Sequence, residues 1–379
     1  MTSIYLIRHA EAEGNLYRRA QGQYNSNLTA LGRRQVAALA ERFRRIPIDA
    51  LWASDLHRTQ STASAILKYH PNLTLHTTPA LREVDVGTWE DRPWAEIARD
   101  APEQMELFLT DPARWRIPGG EDYGALVRRM EQAVLDLAAA YPGKTLAAVS
   151  HAFVIRALLA KLLGVPHAQI PYGDNTAVSR LTVDDGRISV DFYNDSSHLE
   201  GTLRRRPRPG GMDDDALFAP ISLPAEEALF SRCYSETWMA SHGDLRGYSP
   251  VLYLHAAAQH SKADPRCLVK MLRSDGALAG VIELDPQRGA EEGAGWISLL
   301  YVQPELRSRR FGAQLMGHAV SYFRGLGRRT LRLHVSQTNE PALAFYKSMG
   351  FETVSRAEGV GGPLYLMEMP ISQEVWYLP

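Results

Sequence analysis

The sequence holds only two cysteines, Cys233 and Cys267, among 379 residues, and they stand far apart without a CxxC spacing. That argues against a disulfide framework and a zinc site, and points to a reducing, cytoplasmic setting. Long apolar runs are missing too: none approaches the roughly 18 residues of a membrane span, and no basic segment leads into an apolar one at the N-terminus. The chain is therefore expected to be soluble, unprocessed and free of membrane. Excess charge of either sign is absent, since 42 basic side chains face 43 acidic ones for a net charge of -1. This balance removes the electrostatic footprint of a nucleic-acid partner. No internal repeat is visible, and no metal is called for, because no carboxylate cluster is arranged for a divalent ion.

What remains is ordinary globular material, 45% hydrophobic and 22% charged. Single cores stop growing at roughly 250–300 residues, so two domains are expected. The sharpest break in composition is GTLRRRPRPGGMDDD at 201–215, where prolines and glycines part a run of arginines from a run of aspartates. It reads as an exposed linker, and RRRPRP without interleaved aromatics reads as solvated charge, not an RNA site. The expected division is a first domain at 1–202, a linker at 203–215 and a second domain at 216–379.

In the first half, SIYLI (3–7) and TLAAV (145–149) read as strands buried on both faces. Helical stripes lie between them, one formed by Val36, Leu39, Ala40 and Phe43, another by Met130, Val134 and Leu137. This alternation predicts an α/β, three-layer αβα domain with a mostly parallel sheet. Ligands of such sheets bind beyond the carboxyl ends of the strands. Arg8 and His9 follow one strand while Ser150 and His151 follow another, so the two imidazoles are expected at one rim. A helix opening near Ser54 and Asp55 would add Arg58 from its first turn. An arginine fork suits phosphate oxygens, and a neutral imidazole can attack phosphorus. Either histidine alone would pass for an ordinary strand-end residue; their convergence carries the argument.

The ordered stretches LIRHAEAEGN, QGQYNSNLTALGRRQ, WASDLHRTQSTA, LREVDVGTWED, IPGGEDYGALVRRM, VSHAFVIRALL and NDSSHL resemble the histidine phosphatase, or phosphoglycerate mutase-like, superfamily over about residues 1–200. The resemblance implies that His9 is the nucleophile that becomes phosphohistidine. It places Arg8, Arg58 and His151 on the phosphoryl oxygens with Asn15, adds Gln21 and Gly22 to the substrate site, and makes Glu83 the general acid. Composition alone does not choose among Glu83, Asp85, Glu90 and Asp91. Two positions depart from the family pattern: Ala10 stands where glycine is usual and Ala12 where threonine is. Alanine at 10 is mild if its φ stays negative. The mutases typically carry TGW where this chain has QGQY, together with longer lids, so hydrolysis of a small phosphomonoester is the leading expectation.

In the second half, GALAGVIEL and GWISLLYV read as successive strands, and RSRRFGAQLMGHAVSYF as a basic turn running into a helix, an arrangement suited to anions. NEPALAFYKSMGF reads as a helix capped by Asn339 and stopped by Gly350. With YVQPELRSRRFGAQL, these stretches resemble the GNAT acyltransferase family, which implies an α/β domain with a mixed sheet and acetyl-CoA as cosubstrate. The resemblance assigns the pyrophosphate to the backbone of Arg309, Arg310, Phe311, Gly312 and Ala313. It assigns the pantetheine arm to Val302 on a splayed strand, and further cofactor contacts to Arg307 and Asn339. Tyr346 takes the position that protonates the CoA thiolate, although its spacing also fits a core aromatic. Arg310 stands where the family has its first glycine, and GWISLLYV lacks the carboxylate that relatives use as base; Glu283, on the preceding strand, is a candidate.

The expected protein is a bifunctional enzyme acting on a small phosphoester and on a small or protein amine. Two alternatives stand beside it: a phosphatase regulated by a non-catalytic acyl-CoA-binding module, and a phosphoglycerate mutase-type phosphotransferase. The first domain is expected to need no cofactor.

Overall fold

The apolar runs on the two sides of the proline-rich segment build two separate sheets. A computed structural model describes residues 1–204 and 215–379, so most of the expected linker and of its arginine run lies outside the described residues. The first sheet contains β1 (Thr2–Arg8), β2 (Ala50–Ala53), β3 (Leu75–Thr77), β4 (Thr145–Ser150), β5 (Val178–Asp184) and β6 (Arg187–Asp195). Their order is β3-β2-β4-β1-β5-β6. The strands from β3 to β1 are parallel to one another, and β5 and β6 are antiparallel additions at one side.

Alternate residues of the central strands enter two different cores, as a sheet buried on both faces requires. Ile4, Leu6, Leu146 and Ala148 meet α6 (Tyr123–Ala140) and α7 (Ala152–Leu163). Ile7, Leu51, Ala147 and Val149 meet α2 (Ala30–Phe43) and α3 (His57–Leu67) on the other face. Both expected stripes are buried, Val36 to Phe43 on α2 and Met130 to Leu137 on α6. The layers are thus helix, sheet, helix. The helix read as opening near Ser54 begins at His57, since the Leu56 N–H turns back onto the Ser54 hydroxyl at 3.3 Å. The short α1 (Glu13–Tyr17) follows β1, while α4 (Trp94–Asp100) and α5 (Pro102–Thr110) precede α6.

The second sheet contains β7 (Leu217–Pro220), β8 (Leu268–Leu272), β9 (Leu278–Asp285), β10 (Ala294–Val302), β11 (Thr330–Ser336), β12 (Glu352–Gly359) and β13 (Gly362–Pro370), in the order β12-β13-β11-β10-β9-β8-β7. It is mixed, with β10 and β11 its parallel pair. One face packs on α10 (Phe311–Gly325) and α11 (Glu340–Met349), the other on α8 (Glu227–His242) and α9 (Pro250–Ala263).

The two units do not merely touch. Tyr17 of α1 belongs to the core around α10, and Trp376 and Leu378, beyond β13, pack against the α2 and α3 side of the first sheet. The Trp376 N–H donates to the Ser61 hydroxyl at 2.8 Å and the Leu378 N–H to Ser64 at 2.9 Å. Residues expected in the second domain therefore finish their course on the first.

Candidate active site

Register brings the first site together. Arg8 pairs with Ser150 across the parallel β1–β4 ladder, so both strands end at one edge and the following residues are His9 and His151. Their rings lie 5.3 Å apart, and the His9 N–H donates to the Ser150 carbonyl at 3.0 Å. Arg58, in the first turn of α3, donates Nε to His151 Nδ1 at 3.2 Å. All three side chains are buried.

The hydrogen bonds fix both tautomers. His9 Nδ1 lies 2.7 Å from the Ala10 carbonyl, which can only accept, so Nδ1 carries the proton and Nε2 keeps its lone pair. His151 Nδ1 receives the Arg58 guanidinium, which can only donate, so the neutral ring carries its proton on Nε2. That Nε2 is buried without a protein partner. Burial, with Arg58 and Arg8 beside it, holds the His9 pKa well below 6.5. Burial, Arg58 and His9 do the same to His151. Both imidazoles are thus neutral, one with a lone pair left on Nε2 and the other with an N–H there.

Arg58 remains a cation, its pKa drawn down by burial to about 10. Its two remaining nitrogens donate to the carbonyls of Tyr24 at 2.9 Å and Gly22 at 2.6 Å. The N–H groups of Gly22, Gln23 and Tyr24 turn to the Glu90 carboxylate at 2.6–3.2 Å. Gly22 is required by space, because a Cβ there would stand 2.4 Å from both Glu90 Oε1 and the Val84 carbonyl. Gln21 behaves differently: its amide binds the Ser26 hydroxyl. Arg8 donates to the Gly173 carbonyl at 2.6 Å. Asn15 Oδ1 accepts from Ala12 N at 3.1 Å and from Asn175 Nδ2 at 3.3 Å. Ala10 lies outside the positive-φ region, so the departure from glycine costs the backbone nothing.

The four acidic residues that composition leaves open receive separate tasks. Glu83 is buried, and its carboxylate accepts from the N–H groups of Phe153, Val154 and Val84 at 2.9–3.0 Å, the first two in the turn that follows His151. Burial pushes its pKa up, and these N–H groups and Arg58 hold it back. Asp85 caps the turn at Gly87, Glu90 ties the 22–24 loop, and Asp91 binds Arg19. Sequence reasoning missed Asn175, which donates to the His9 carbonyl at 3.1 Å, and Arg156, whose guanidinium lies 3.7 Å over the Tyr172 ring. Neither sits in a pattern that spacing could expose.

The second site is built from backbone. β10 and β11 pair only from Ala294/Thr330 to Ile297/Leu333, though β10 runs on to Val302 and β11 to Ser336, so the expected splay is present. Val302 ends the splayed strand, and its carbonyl accepts from Arg307 Nε at 3.3 Å. Arg310 is the residue before α10 and adopts φ 69°, the left-handed conformation that the family's glycine would take freely. Phe311 and Ala313 are buried, and a Cβ on Gly312 would approach the Phe345 ring to 3.0 Å, while Arg309 lies 5.8 Å over the Phe311 ring. Asn339 caps α11 by accepting from Ala342 N at 3.2 Å and donates to Ser241 at 3.1 Å. Its side chain is thus committed to structure.

Tyr346 is buried in the second core beside Phe351, and burial raises its phenol pKa. Glu283 does not lie open to an amine: it is 2% exposed and accepts from His260 Nδ1 at 2.9 Å, while His260 Nε2 lies 3.5 Å from Asp285. Burial alone would lower the His260 pKa, but the bond to Glu283 and the two carboxylates raise it. The carboxylate that reaches β10 is instead Glu236 of α8, which accepts from the Tyr301 hydroxyl. Among the described residues no group of three His, Cys, Asp or Glu side chains is placed to hold a metal, and no helix is long and apolar enough to cross a membrane.

Each half matches a known family. Residues 4–196 match the family model of the histidine phosphatase superfamily (branch 1), and residues 225–351 that of the acetyltransferase (GNAT) family. The probable phosphoglycerate mutase GpmB of Yersinia pestis (strain Pestoides F) is 39% identical over 171 residues, which cover 45% of this chain and 79% of that protein. The solved structure of Bacillus stearothermophilus YhfR aligns at a TM-score of 0.51 and 29% identity, over 53% of this chain and 100% of that one.

Proposed function

The chain belongs to the histidine phosphatase superfamily and carries a GNAT acetyltransferase domain behind it, and from that premise we propose that its first half hydrolyses a small phosphomonoester through phosphohistidine at His9. His9 Nε2 attacks phosphorus, the P–O bond to the leaving group breaks, and Glu83 gives its proton to the departing oxygen. Water then attacks the phosphohistidine, the Glu83 carboxylate takes its proton, and the P–N bond breaks to release phosphate. Arg8, Arg58, Asn15 and the His151 Nε2–H hold the phosphoryl oxygens as charge spreads over them. The observation that carries this reading is the fixed pair of tautomers, a lone pair on His9 beside an unpartnered donor on His151.

The test is phosphate release from a panel of small phosphomonoesters. We expect turnover by the wild type and a loss of about 10³-fold or more in His9→Ala, as for other groups indispensable to phosphoryl transfer; a variant near the wild-type rate removes the reading. A second reading is favoured by the name of the Yersinia relative: transfer of the phosphoryl group between glycerate positions. Transfer that outruns phosphate release would establish it.

For the second half we propose acetyl-CoA-dependent N-acetylation of a small amine or protein amine. The pyrophosphate would lie on the backbone N–H groups at the start of α10 and the pantetheine arm along Val302. Tyr346 would protonate the thiolate, and Glu236 beside Tyr301 would take the proton of the amine. The closed environment of Glu283 supports an alternative in which this half binds acyl-CoA without transfer and regulates the phosphatase. CoA release with one amine of a panel removes that alternative.

A further inference from the structure

The helix that carries Asn15 has two working faces. Glu13 and Tyr17 lie four residues apart, hence on one side of α1, whereas Asn15, two residues from each, lies on the opposite side. The Asn15 side reaches Asn175, which in turn holds the His9 carbonyl. The Glu13 and Tyr17 side is buried against α10, in the acetyltransferase half.

The contact is close and charged. A Cβ at Gly317 of α10 would stand 2.5 Å from the Tyr17 Cβ, so only glycine lets the helices approach this far. Arg324, at the far end of α10, donates Nη1 and Nη2 to the two Glu13 oxygens at 2.8 and 3.0 Å, while its Nε holds the Ile371 carbonyl at 2.6 Å. Both members of the pair are only 11% exposed, so its geometry is held in a poorly solvated place. Glu13 Oε2 also accepts from the Asn27 N–H at 3.1 Å, at the end of the loop that begins at Gln21. Arg324 acts on the Tyr24 phenol as well, and the Tyr24 carbonyl is one of the acceptors that aim Arg58.

We propose that Arg324 is a positioning residue of the phosphoryl site, supplied by the acetyltransferase half. Its fork fixes Glu13, and through Glu13 both α1 with Asn15 and the 21–27 loop with its carbonyl grip on Arg58. The first site is therefore finished by a residue that lies outside the matched phosphatase segment at 4–196. This inference rests on reading that site as a phosphoryl site.

The test uses the full-length chain and two measurements, the KM and kcat for p-nitrophenyl phosphate and the affinity for inorganic phosphate by calorimetry. We expect Arg324→Gln and Glu13→Gln each to raise KM and weaken phosphate binding by about 10-fold, the middle of the range for residues that act on a site through others, with kcat changed much less. The double variant is expected to be no worse than either single one, because both break one pair. Arg324→Lys keeps the charge without the fork, and we expect it to recover part of the loss. If Arg324→Gln does not fold, Arg324→Lys carries the test, with a KM above that of the wild type expected. A wild-type KM and phosphate affinity in folded Gln or Lys variants, with only a lower melting temperature, would reduce Arg324 to a structural contact and overturn the proposal. A wild-type chain that binds no inorganic phosphate would instead remove the phosphoryl-site reading on which it stands.

Discussion

The two candidate sites differ in what holds them. At the first, Arg58 and His151 are fully buried and bonded to each other, and Arg58 also holds the carbonyls of Tyr24 and Gly22. At the second, Arg307, Arg309 and Arg310 are exposed, and the proposed pyrophosphate site is the run of N–H groups at the start of α10. On the proposed function these are two ways of meeting a phosphate. A group that is being transferred needs charges fixed before the reaction, and burial supplies that fixity. A group that only anchors a cosubstrate needs a backbone cradle, in which side-chain identity is secondary.

Four experiments test that contrast. The largest effect is expected from Glu83→Gln, which should lower kcat on an alkyl phosphate by roughly 10²–10⁴-fold and far less on p-nitrophenyl phosphate, whose leaving group needs no proton. Because burial raises the Glu83 pKa, the acid form persists above the ordinary carboxylate range and kcat should fall as pH rises through the folded value. The Gln variant should lose that limb in a pH–rate profile. Next, Tyr346→Phe should slow CoA release roughly 10²-fold with little change in melting temperature; an unchanged rate would return Tyr346 to the core.

A smaller effect comes from the two histidines. Their folded pKa values lie below the unfolded 6.5, so below about pH 6.5 the unfolded chain takes up protons that the native chain does not. Stability should be full above that pH and decline as pH falls beneath it, and His151→Asn should flatten the decline in urea midpoints measured from pH 7.5 to 5.5. The smallest is Arg310→Gly, which relieves a left-handed non-glycine residue and should raise stability by about 1 kcal/mol. At an exposed cradle we expect the acetyl-CoA affinity to move within about threefold; a collapse of affinity would show that the Arg310 side chain grips the pyrophosphate.

Legibility followed the same divide. Arg8, His9, Arg58 and His151 were readable because strand ends and helix starts are local features, and parallel register forces them to one edge. Asn339 and Gly350 were readable as helix signals, and the structure keeps Asn339 for that task. Asn175, the loop-holding role of Glu90 and the closure of Glu283 by His260 were not, since each depends on a partner brought from a distant segment. The expected boundary at 216 also hid how far the halves interlock, through Tyr17 in one core and Trp376 on the other.

Two α/β units, two families of motif and the convergence of Arg8, His9, Arg58 and His151 are written in the order of residues, because alternation, capping and strand-end placement are set by nearest neighbours along the chain. Packing in three dimensions sets which imidazole keeps its lone pair, which of four carboxylates sits buried beside His151, and that Arg324 grips Glu13 from 311 residues away. Those outcomes are fixed by which groups face each other once water is excluded, and no local pattern records that.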